Sequence, residues 1–473
     1  APSRGLGDVY KRQVKTMAQA FFGGVHPHDM KAATNEKAIE QLAPPAVVVI
    51  PMSMHFGAPC TPLVKAGDHV KVGQKIGEFH GLGAPIHASV SGTVKAVEPR
   101  PYSMGGNITS VVIENDMQDE VSEELQAPAD PNALSVEEMV EIVKNAGIVG
   151  MGGATFPTHV KITSGIGKVN TVIINGAECE PYITGDHRTM LERPEEIIGG
   201  AKFLAKMFGV DKVVIGVEDN KRNGIDAMNK VIAEQKAPVV VEPLRCRYPQ
   251  GGEKQLCQAI TGRQVPPGGL PADIGCAVFN INTTCAIYRA LTTGMPVVRK
   301  IVTVSGSGVV EPKNLECPIG TPVSSLLDAC GGLKDGTYKL IAGGPMMGMA
   351  QYTADISVAK GTGAILAFCE NEEKTVENPQ CIRCGKCVSV CPMHLEPLFM
   401  YQYASKGMVE ELNDAHIMDC MECGACSYIC PARMHLTHMF KTGKQLVKDK
   451  AAADRAAAEA KKKAEEAKEA AAK

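Results

Sequence analysis

The chain has 473 residues, of which 44% are hydrophobic and 21% charged, and its formal net charge is -3. This composition is typical of a globular chain of about three to four domains, and it gives no sign of the basic surface that binds nucleic acids. The longest apolar stretch, residues 43–52, is far shorter than the ~20 residues that a membrane-spanning helix needs. We therefore expect a globular protein that has no membrane span of its own.

The amino-terminal part predicts a small β module. Residues 1–16 have no pattern that connects them to the rest, and we set them apart as an atypical segment. Between residues 46 and 98, runs rich in Val, Gly and Pro alternate with Gly-Asp and Ser-Gly turns, which predicts short strands in a barrel or sandwich. The pattern resembles the lipoyl-type barrel-sandwich hybrid, which we assign to residues 17–125. Its hairpin tip, near His87 to Gly92, has no Lys, so we expect a structural module and not a cofactor carrier.

An alternation of strands and helices begins after an acidic linker at residues 115–133. The stretch SVEEMVEIVKNAG (135–147) has a capping Ser, a Glu three residues later and a Gly stop, which predicts a helix. The apolar runs VNTVIING and DKVVIGVED are each followed by a helical pattern, which predicts a parallel sheet covered by helices over residues 134–296. In such sheets, ligands bind beyond the carboxyl ends of the strands.

Two loops of this region are candidates for ligand binding. The stretch GIVGMGGATFPTHVK (147–161) is rich in Gly, which lets backbone amides approach a phosphate or a flat ring, although it is not the dinucleotide pattern G-x-G-x-x-G. The stretch NGAECEPYITGDHR (175–188) directly follows a predicted strand. It places two carboxylates near the end of that strand, where they suit ribose hydroxyls or a nicotinamide amide. The alternative for the first stretch is an ordinary turn, and the alternative for the second stretch is a solvated acidic turn.

Three further segments complete the chain. Residues 297–370 form a smaller β-rich unit, and residues 371–445 contain two Cys-rich motifs. Residues 446–473 are rich in Ala, Lys and Glu and have no apolar stripe, so we expect a helical or disordered tail.

The Cys motifs predict two 4Fe-4S clusters. CIRCGKCVSVCP (381–392) and CMECGACSYICP (420–431) both have the spacing C-x2-C-x2-C-x3-C-P, in which the fourth Cys binds the other cluster. Zinc sites usually present pairs of Cys-x-x-Cys instead. The other nine Cys residues have no disulfide-like spacing, which favours a reducing compartment. The predicted ligands are Cys381, Cys384, Cys387 and Cys430 for one cluster, and Cys420, Cys423, Cys426 and Cys391 for the other.

Five motifs together carry a family resemblance over about residues 21–440. FFGGVHPHDMK, GMGGATFPTHVK, NGAECEP, RYPQGGEKQL and the twin Cys motifs resemble the C subunit of the Rnf complex, the bacterial membrane-bound NADH:ferredoxin oxidoreductase. The central part is similar to the flavin-bearing, NADH-oxidising subunit of respiratory complex I. The resemblance implies a multidomain α/β plus β fold. Its parts are a barrel-sandwich hybrid, an FMN/NADH-binding α/β domain (134–296), a small β-grasp-like (SLBB) domain (297–370) and a C-terminal α-helical ferredoxin domain with two clusters.

The resemblance also implies a pocket for FMN and NADH. The residues that it assigns to the flavin loop are Gly150, Gly152, Gly153, Phe156 and Lys161; those that line the pocket are Asn175, Glu178 and Glu180; and those that close it are Glu253, Asn280 and Thr284. Two positions depart from the relatives in complex I, which have an Asp in place of Ala177 and an Asn pair where Asn280 is followed by Ile281.

The activity that the resemblance implies is that of an enzyme subunit in which NADH reduces FMN and the electrons continue through two 4Fe-4S clusters. Hydride transfer is the chemistry of the flavin, so we expect no catalytic side chain. The implied partners are integral membrane subunits and an iron-sulfur subunit that faces ferredoxin, with coupling to Na+ or H+ translocation. The implied location is the cytoplasmic face of the bacterial cell membrane, with attachment through partners only and no binding of nucleic acid.

Two alternatives remain open. The chain could be a flavin-free docking and electron-wire subunit, which the departures at Ala177 and Ile281 favour. It could also be the diaphorase subunit of a soluble NAD-linked hydrogenase or formate dehydrogenase. The amino-terminal barrel and the motif FFGGVHPHDMK argue against this second alternative.

Overall fold

The computed structural model describes residues 21–370 and 376–471, and the atypical segment 1–16 lies outside them. None of the helices in these described ranges is long and apolar enough to cross a membrane.

The chain forms two compact units. Of the described residues, the first unit covers 26–370, and the second unit combines 21–25 with 376–471. The motif FFGGVHPHDMK is therefore divided after Val25. Its first half belongs to the Cys-rich unit and its second half to the α/β unit.

The first unit begins with a β module. Its strands, with the preceding strand β1, are β1 (Ile39–Gln41), β2 (Val47–Pro51), β3 (Thr61–Pro62), β4 (His69–Val70), β5 (Lys75–Glu78), β6 (Ile86–His87), β7 (Gly92–Pro101) and β8 (Asn107–Asn115). Strands β2 to β8 form two antiparallel sheets with the orders β2-β8-β7-β4 and β3-β5-β6. The cross-strand pairs Val48 with Ile113 and Ile50 with Val111 are buried, because alternate residues of a strand face the core.

The hairpin tip of this module is buried. Ala88, Val90 and Ser91 have no exposed surface, and the hydroxyl of Ser89 donates to the carbonyl of Ile319. A carrier module needs an exposed tip that can move between sites. The burial therefore agrees with the expectation of a structural module.

A parallel α/β sheet follows. Its strands are β9 (Thr171–Gly176), β10 (Val213–Glu218), β11 (Val239–Leu244) and β12 (Cys276–Asn280), and its helices are α1 (Val136–Asn145), α2 (Thr158–Gly165), α3 (Gly185–Glu192), α4 (Pro194–Phe208), α5 (Arg222–Gln235), α6 (Glu253–Thr261) and α7 (Ile281–Thr293), with a 3-10 turn at Pro271–Ile274. The strand order is β11-β10-β9-β12, and all neighbours are parallel, as predicted. Ile173 packs in a different core from Val172 and Ile174, because both faces of the sheet are covered.

The predicted start of α1 is confirmed. Ser135 accepts the amide of Glu138, and the carboxylate of Glu138 accepts the amide of Ser135, which completes a capping box. Gly147 has φ 65°, a left-handed conformation that ends the helix without the steric cost of a Cβ.

The third part of the first unit is a six-stranded mixed sheet. Its further elements are β13 (Arg299–Ser305), β14 (Lys313–Pro318), α8 (Val323–Ala329), β15 (Thr337–Ala342), β16 (Met349–Gln351) and β17 (Ala364–Cys369). The order is β1-β14-β13-β17-β15-β16. Strand β1 lies in the range predicted for the barrel module, yet it pairs in parallel with β14. Three residues carry too little pattern to specify the sheet that they join.

The second unit is helical. Its elements are α9 (Lys386–Ser389), α10 (Pro397–Ser405), α11 (Val409–Asp414), a 3-10 turn at Ile417–Asp419, α12 (Ala425–Ile429) and α13 (Leu436–Ala471). Its core includes Met400, Leu412, Ile417 and Phe440. The predicted tail begins inside α13, and the side chains of residues 448–463 are all exposed, because this part of the helix has no apolar stripe to bury.

We predict that the replacement Gly200→Ala destabilises the first unit. A Cβ on Gly200 of α4 would lie 2.2 Å from the carbonyl oxygen of Thr284 in α7, so the two helices must move apart. Overpacking of this kind costs about 1–3 kcal/mol. The measurement is the thermal unfolding midpoint. Gly363→Ala, with nothing within 4 Å of its Cβ, is the matched control, and equal midpoints for both variants would refute the packing argument.

Candidate functional site

The eight motif thiols line two cavities of the second unit. The outer site is lined by Cys381, Cys384, Cys387 and Cys430. The inner site is lined by Cys391, Cys420, Cys423 and Cys426. Each cavity thus collects three thiols of one motif and the fourth thiol of the other, which is the grouping that the cross-ligated spacing predicts. All eight are free thiols.

The two motif loops have the same backbone geometry. Gly385 and Gly424 have φ angles of 73° and 78°, which favour Gly, and each precedes a short helix. The amide of Arg383 lies 3.4 Å from Sγ of Cys381, and the amide of Glu422 lies 3.4 Å from Sγ of Cys420. The loops therefore direct backbone N–H groups at the sulfur atoms in the same way in both copies.

The donor set fits iron-sulfur clusters better than single metal ions. Around one zinc ion, with Zn–S bonds of ~2.3 Å, thiolates lie roughly 3.8 Å apart. Within the described ranges, no group of three Cys, His, Asp or Glu side chains is arranged to hold a single ion. In a cube-shaped cluster each thiolate binds a different iron, so the sulfur atoms lie further apart. Each cavity supplies the four thiols that one such cluster requires.

Burial keeps the inner thiols protonated in the absence of a metal. It raises the pKa of Cys420 to about 11 and the pKa of Cys423 to about 12. Metal ligation requires thiolates, so cluster assembly at this site must release protons.

In the first unit, most of the predicted binding residues lie at or near the carboxyl ends of β9 and β12, the edge where a parallel sheet of this strand order forms a crevice, and we call this edge the crevice. Asn175 and Asn280 are the paired residues of these two strands. The side-chain amide of Asn175 donates to the carbonyl of Gly251 (2.8 Å), and Asn280 accepts the amide of Asn282 (2.9 Å) at the start of α7. Strand β9 has β10 on one side and β12 on the other, so the strand order reverses direction at β9. Parallel α/β sheets bind ligands at such a switch point.

The glycine loop lies beside the amino terminus of α7. The amide of Gly150 donates to the carbonyl of Phe156 (2.9 Å), which closes the loop into a hairpin with an exposed tip at Gly152 and Gly153. A Cβ on Gly152 would lie 3.4 Å from Asn280. Small residues at the tip therefore leave backbone amides accessible beside the positive end of a helix dipole, an arrangement that suits a phosphate-bearing ligand.

The two predicted carboxylates are held by backbone amides. Glu178 accepts the amides of Asp186 (2.6 Å) and His187 (3.3 Å) and so caps α3. Glu180 accepts the amide of Met346 (3.1 Å), which comes from the third part of the unit. Burial raises the pKa of each carboxyl to about 7, and in Glu178 the ammonium of Lys31 partly opposes this shift. The side chain of Glu178 is only 4% exposed, so the alternative of a solvated acidic turn is wrong for it.

Lys161 and Glu253 form an ion pair at the edge of the crevice. Nζ of Lys161 lies 2.7 Å from the carboxylate of Glu253 and donates to the carbonyl of Val278 (3.0 Å). Both side chains are partly exposed, at 30% and 40%. The pair therefore joins α2 to the start of α6 and leaves polar atoms at the surface.

The structure places Thr284 away from the crevice. Its hydroxyl donates to the carbonyl of Asn280 (3.0 Å), and its backbone packs against Gly200 of α4. The neighbouring hydroxyl of Thr283 instead accepts the amide of Met151 (2.9 Å) and thereby binds the glycine loop. The helical twist alone separates these two roles, and a sequence motif of two adjacent Thr residues does not reveal it.

Sequence reasoning missed several residues that position the crevice. Lys31 is buried, and its ammonium donates to the carbonyls of Glu178 (3.0 Å), Glu180 (3.0 Å) and Ile183. Burial lowers its pKa. Its only signal in the sequence was its place in the motif FFGGVHPHDMK.

Two further charged residues support the glycine loop, the half-buried Asp186 and the buried Lys300. Asp186 accepts the side-chain amides of Asn280 (2.8 Å) and Asn282 (2.5 Å), and burial raises its pKa. Lys300 donates to the carbonyl of Met151 (3.0 Å), and burial lowers its pKa to about 8, against the attraction of Asp186. These residues come from three separate segments, so no local pattern links them.

The barrel module also contacts the glycine loop. The amide of Phe56 donates to the carbonyl of Thr155 (2.9 Å), and the ring centroids of Phe56 and Phe156 lie 6.0 Å apart. The ring of Phe56 is 60% exposed. The module therefore packs an exposed aromatic ring near the glycine loop, a contact that the sequence did not predict.

Four protein-family models match the chain in succession. They are the RnfC barrel sandwich hybrid domain at residues 19–118, the Nuo51 FMN-binding domain at residues 143–289, the SLBB domain at residues 301–350 and the 4Fe-4S dicluster domain at residues 374–431. This succession confirms the predicted order of domain types.

Curated relatives match most of the chain. The C subunit of the Na+-translocating ferredoxin:NAD+ oxidoreductase complex of Acetobacterium woodii is 45% identical over 401 residues, which are 84% of this chain and 90% of that protein. The C subunit of the proton-translocating ferredoxin:NAD+ oxidoreductase complex of Clostridium ljungdahlii is 43% identical, over 85% of this chain and 88% of that protein.

Among solved structures, an NAD+-reducing NiFe-hydrogenase in the air-oxidized state is similar, with a TM-score of 0.48 and 18% identity over 64% of this chain and 63% of that chain. A similarity at this level does not establish a common fold.

We predict that Cys384→Ser halves the iron content of the reconstituted chain. Cys384 lines only the outer site, so the inner four thiols stay intact and about half of the iron is lost. The measurement is iron per chain after anaerobic reconstitution with iron and sulfide. Cys246→Ser, which changes an exposed thiol outside the motifs, is the control. Full iron content in Cys384→Ser would contradict the ligand assignment.

Proposed function

Since the chain belongs to the family of C subunits of ion-translocating ferredoxin:NAD+ oxidoreductase (Rnf) complexes, we propose that it oxidises NADH at an FMN in the crevice of the first unit. The electrons then leave through two 4Fe-4S clusters at the outer and inner sites. When bound, FMN accepts a hydride and releases its electrons one at a time. It thereby links NADH, which donates two electrons together, to the clusters, which each accept one. The observation that carries this proposal is the presence, in one chain, of the polar sheet edge at Asn175 and Asn280 and of two cavities with four thiols each.

The side chains of the crevice have binding and orienting roles in this proposal. The amides of Gly152 and Gly153 and the amino terminus of α7 would hold the flavin phosphate, Gly150 would close the loop through its bond to Phe156, and the ring of Phe156 would border the flavin. Asn175 and Glu180 would present polar atoms to the flavin and the nicotinamide from the end of β9. The ion pair of Lys161 and Glu253 would close the edge. Glu178 would act through the loop that it anchors to α3.

The eight thiolates have a ligand role. Cys381, Cys384, Cys387 and Cys430 would hold the outer cluster, and Cys391, Cys420, Cys423 and Cys426 the inner one. Since each motif supplies ligands to both sites, the two clusters must lie close together, which favours electron transfer between them.

We also propose the finer layout and the setting of the protein. The barrel module is lipoyl-like and spans residues 17–125, and the third part is β-grasp-like and spans residues 297–370. The partners are the integral membrane subunits and the ferredoxin-facing iron-sulfur subunit, at the cytoplasmic face of the bacterial cell membrane. Electron flow is coupled to Na+ or H+ translocation. The two relatives named above differ in this ion, so family membership alone does not assign it.

The alternative of a flavin-free wire subunit has less support in the crevice. Ile281 is fully buried in the main core, so its difference from Asn does not change the crevice surface. Asn282 supplies an amide to Asp186 in the next position. Ala177 is also buried, and its carbonyl accepts the ammonium of Lys221 (2.7 Å).

We predict that NADH reduces the reconstituted protein in two observable steps. After anaerobic loading with FMN, iron and sulfide, substoichiometric NADH should bleach the flavin absorbance and then produce the EPR signals of reduced clusters. Bleaching without cluster signals would refute the relay. A colourless protein with no NADH oxidation would favour the flavin-free alternative.

We predict that Lys31→Met weakens FMN binding at least about tenfold, which corresponds to ~1.4 kcal/mol. The substitution removes the donor for three carbonyls and leaves Glu178 without its cation, so the loop at the end of β9 loses its geometry. The measurement is the FMN dissociation constant from fluorescence quenching, with circular dichroism as a check on folding. Lys37→Met, which removes an exposed ammonium a few residues away, is the control. Equal affinities in a folded Lys31→Met protein would exclude the positioning role.

A further inference from the structure

The outer and inner sites repeat one sequence motif in unequal surroundings. From this we infer that the outer cluster has the higher reduction potential, so that a single electron on the second unit resides at the protein surface. The inference rests on the proposed assignment of two clusters, and it is independent of FMN and NADH.

Solvent exposure separates the two sites. Cys381 and Cys384 of the outer site are exposed, as is every residue between them. In the inner site, Cys391, Cys423 and Cys426 are 8%, 7% and 8% exposed. Reduction adds one negative charge to a cluster, and a buried charge loses the stabilisation that water provides. Exposure therefore makes reduction of the outer cluster more favourable than reduction of the inner cluster.

The fixed charges act in the same direction. The outer cavity is lined by Arg383 and Lys386, and among the residues that the structure describes no carboxylate lines it. The inner cavity has Glu422 at the position that corresponds to Arg383. The ammonium of Lys444 lies 2.7 Å from the carboxylate of Glu422, so these two charges largely cancel. Positive charge beside a cluster stabilises its reduced form, and only the outer site has a net positive lining.

Hydrogen bonds to sulfur act in the opposite direction, and exposure and charge outweigh them in this proposal. The amides of Arg383 and Glu422 lie at the same distance, 3.4 Å, from equivalent sulfur atoms. Two contacts favour the inner site, because the amide of Leu395 lies 3.4 Å from Sγ of Cys391 and the hydroxyl of Thr437 lies 4.0 Å from Sγ of Cys426. The second distance is at the limit for a bond to sulfur, and the same hydroxyl lies 2.9 Å from the hydroxyl of Ser427, which competes for it.

The consequence is a direction for electrons within the second unit. Transfer from the inner to the outer site moves one electron, with no bond made or broken and no proton moved. The electron then rests beside the exposed loop of Cys381 and Cys384, where a one-electron acceptor can approach it. The inner site is lined by apolar side chains such as Met400 and Phe440, and three of its four thiols are buried.

The test is an EPR-monitored redox titration of the full chain with dithionite and mediators, without NADH. We expect two reduction potentials that differ by at least about 59 mV, which corresponds to a tenfold difference between the one-electron reduction equilibrium constants of the two clusters. The double variant Arg383→Gln/Lys386→Gln should lower only the higher potential. The reduction equilibrium constant of the outer cluster should fall by about threefold to tenfold. Lys450→Gln, an exposed Lys on α13, is the charge control and should change neither potential. Equal potentials, or a shift of the lower one in the double variant, would overturn the inference.

A measurement on the unaltered chain provides an independent check. A soluble iron chelator should remove the exposed outer cluster first, so that the cluster that remains titrates at the lower potential. Survival of the higher potential would refute the inference. The redox titration and the chelator experiment could both agree with the inference while NADH reduces neither cluster. In that case the proposed function fails, and the difference in potential between the two sites stands.

Discussion

The register between β9 and β12 is the constraint on which the crevice depends. Parallel pairing places Asn175 opposite Asn280, so the loop that carries Glu178 and Glu180 and the amino terminus of α7 begin at the same edge of the sheet. Shifting a parallel pair by one residue would turn these side chains to the other face. The hydrogen bonds of Asn175 to Gly251 and of Asn280 to Asp186 then tie this edge to neighbouring loops.

Buried charges hold those loops in place. Lys31 and Lys300 are buried, the side chain of Glu178 is 4% exposed and Asp186 is half-buried, and a buried charge is tolerated only when hydrogen bonds replace its water. Lys31 binds three carbonyls and Glu178 binds two amides, so each also fixes the backbone around it. Such a network specifies one loop geometry, because removal of any member leaves a partner unsatisfied. Geometry of this kind suits a site that must orient a flat ring and a dinucleotide.

The Cys-rich unit shows how one local pattern acquires two environments. Both motifs form the same loop with a left-handed Gly and an amide directed at sulfur. The first loop lies at the surface, while the second is covered by α13 and by the core around Phe440. A duplicated sequence therefore yields two redox sites whose properties differ through burial and neighbouring charge.

The sequence by itself determined those features that depend on residues close together in the chain. These include the capping box at Ser135 and Glu138, the strands around VIING and VVIGV within two residues, the parallel sheet and the grouping of the eight Cys residues by their spacing. Helical and strand periods, caps and ligand spacing are local, so the pattern alone specifies them. Only the tertiary structure decided which side chains meet across long separations. It placed Lys31 beneath the loop of Glu178, brought Phe56 of the barrel module to Phe156, joined β1 to a distant sheet, and gave Thr283 and Thr284 opposite neighbours. These contacts join segments far apart in the chain, and their energies depend on burial, which no local pattern encodes. The same reason separates the outer site from the inner site, since the chain repeats the ligands and only the fold decides which of them water reaches.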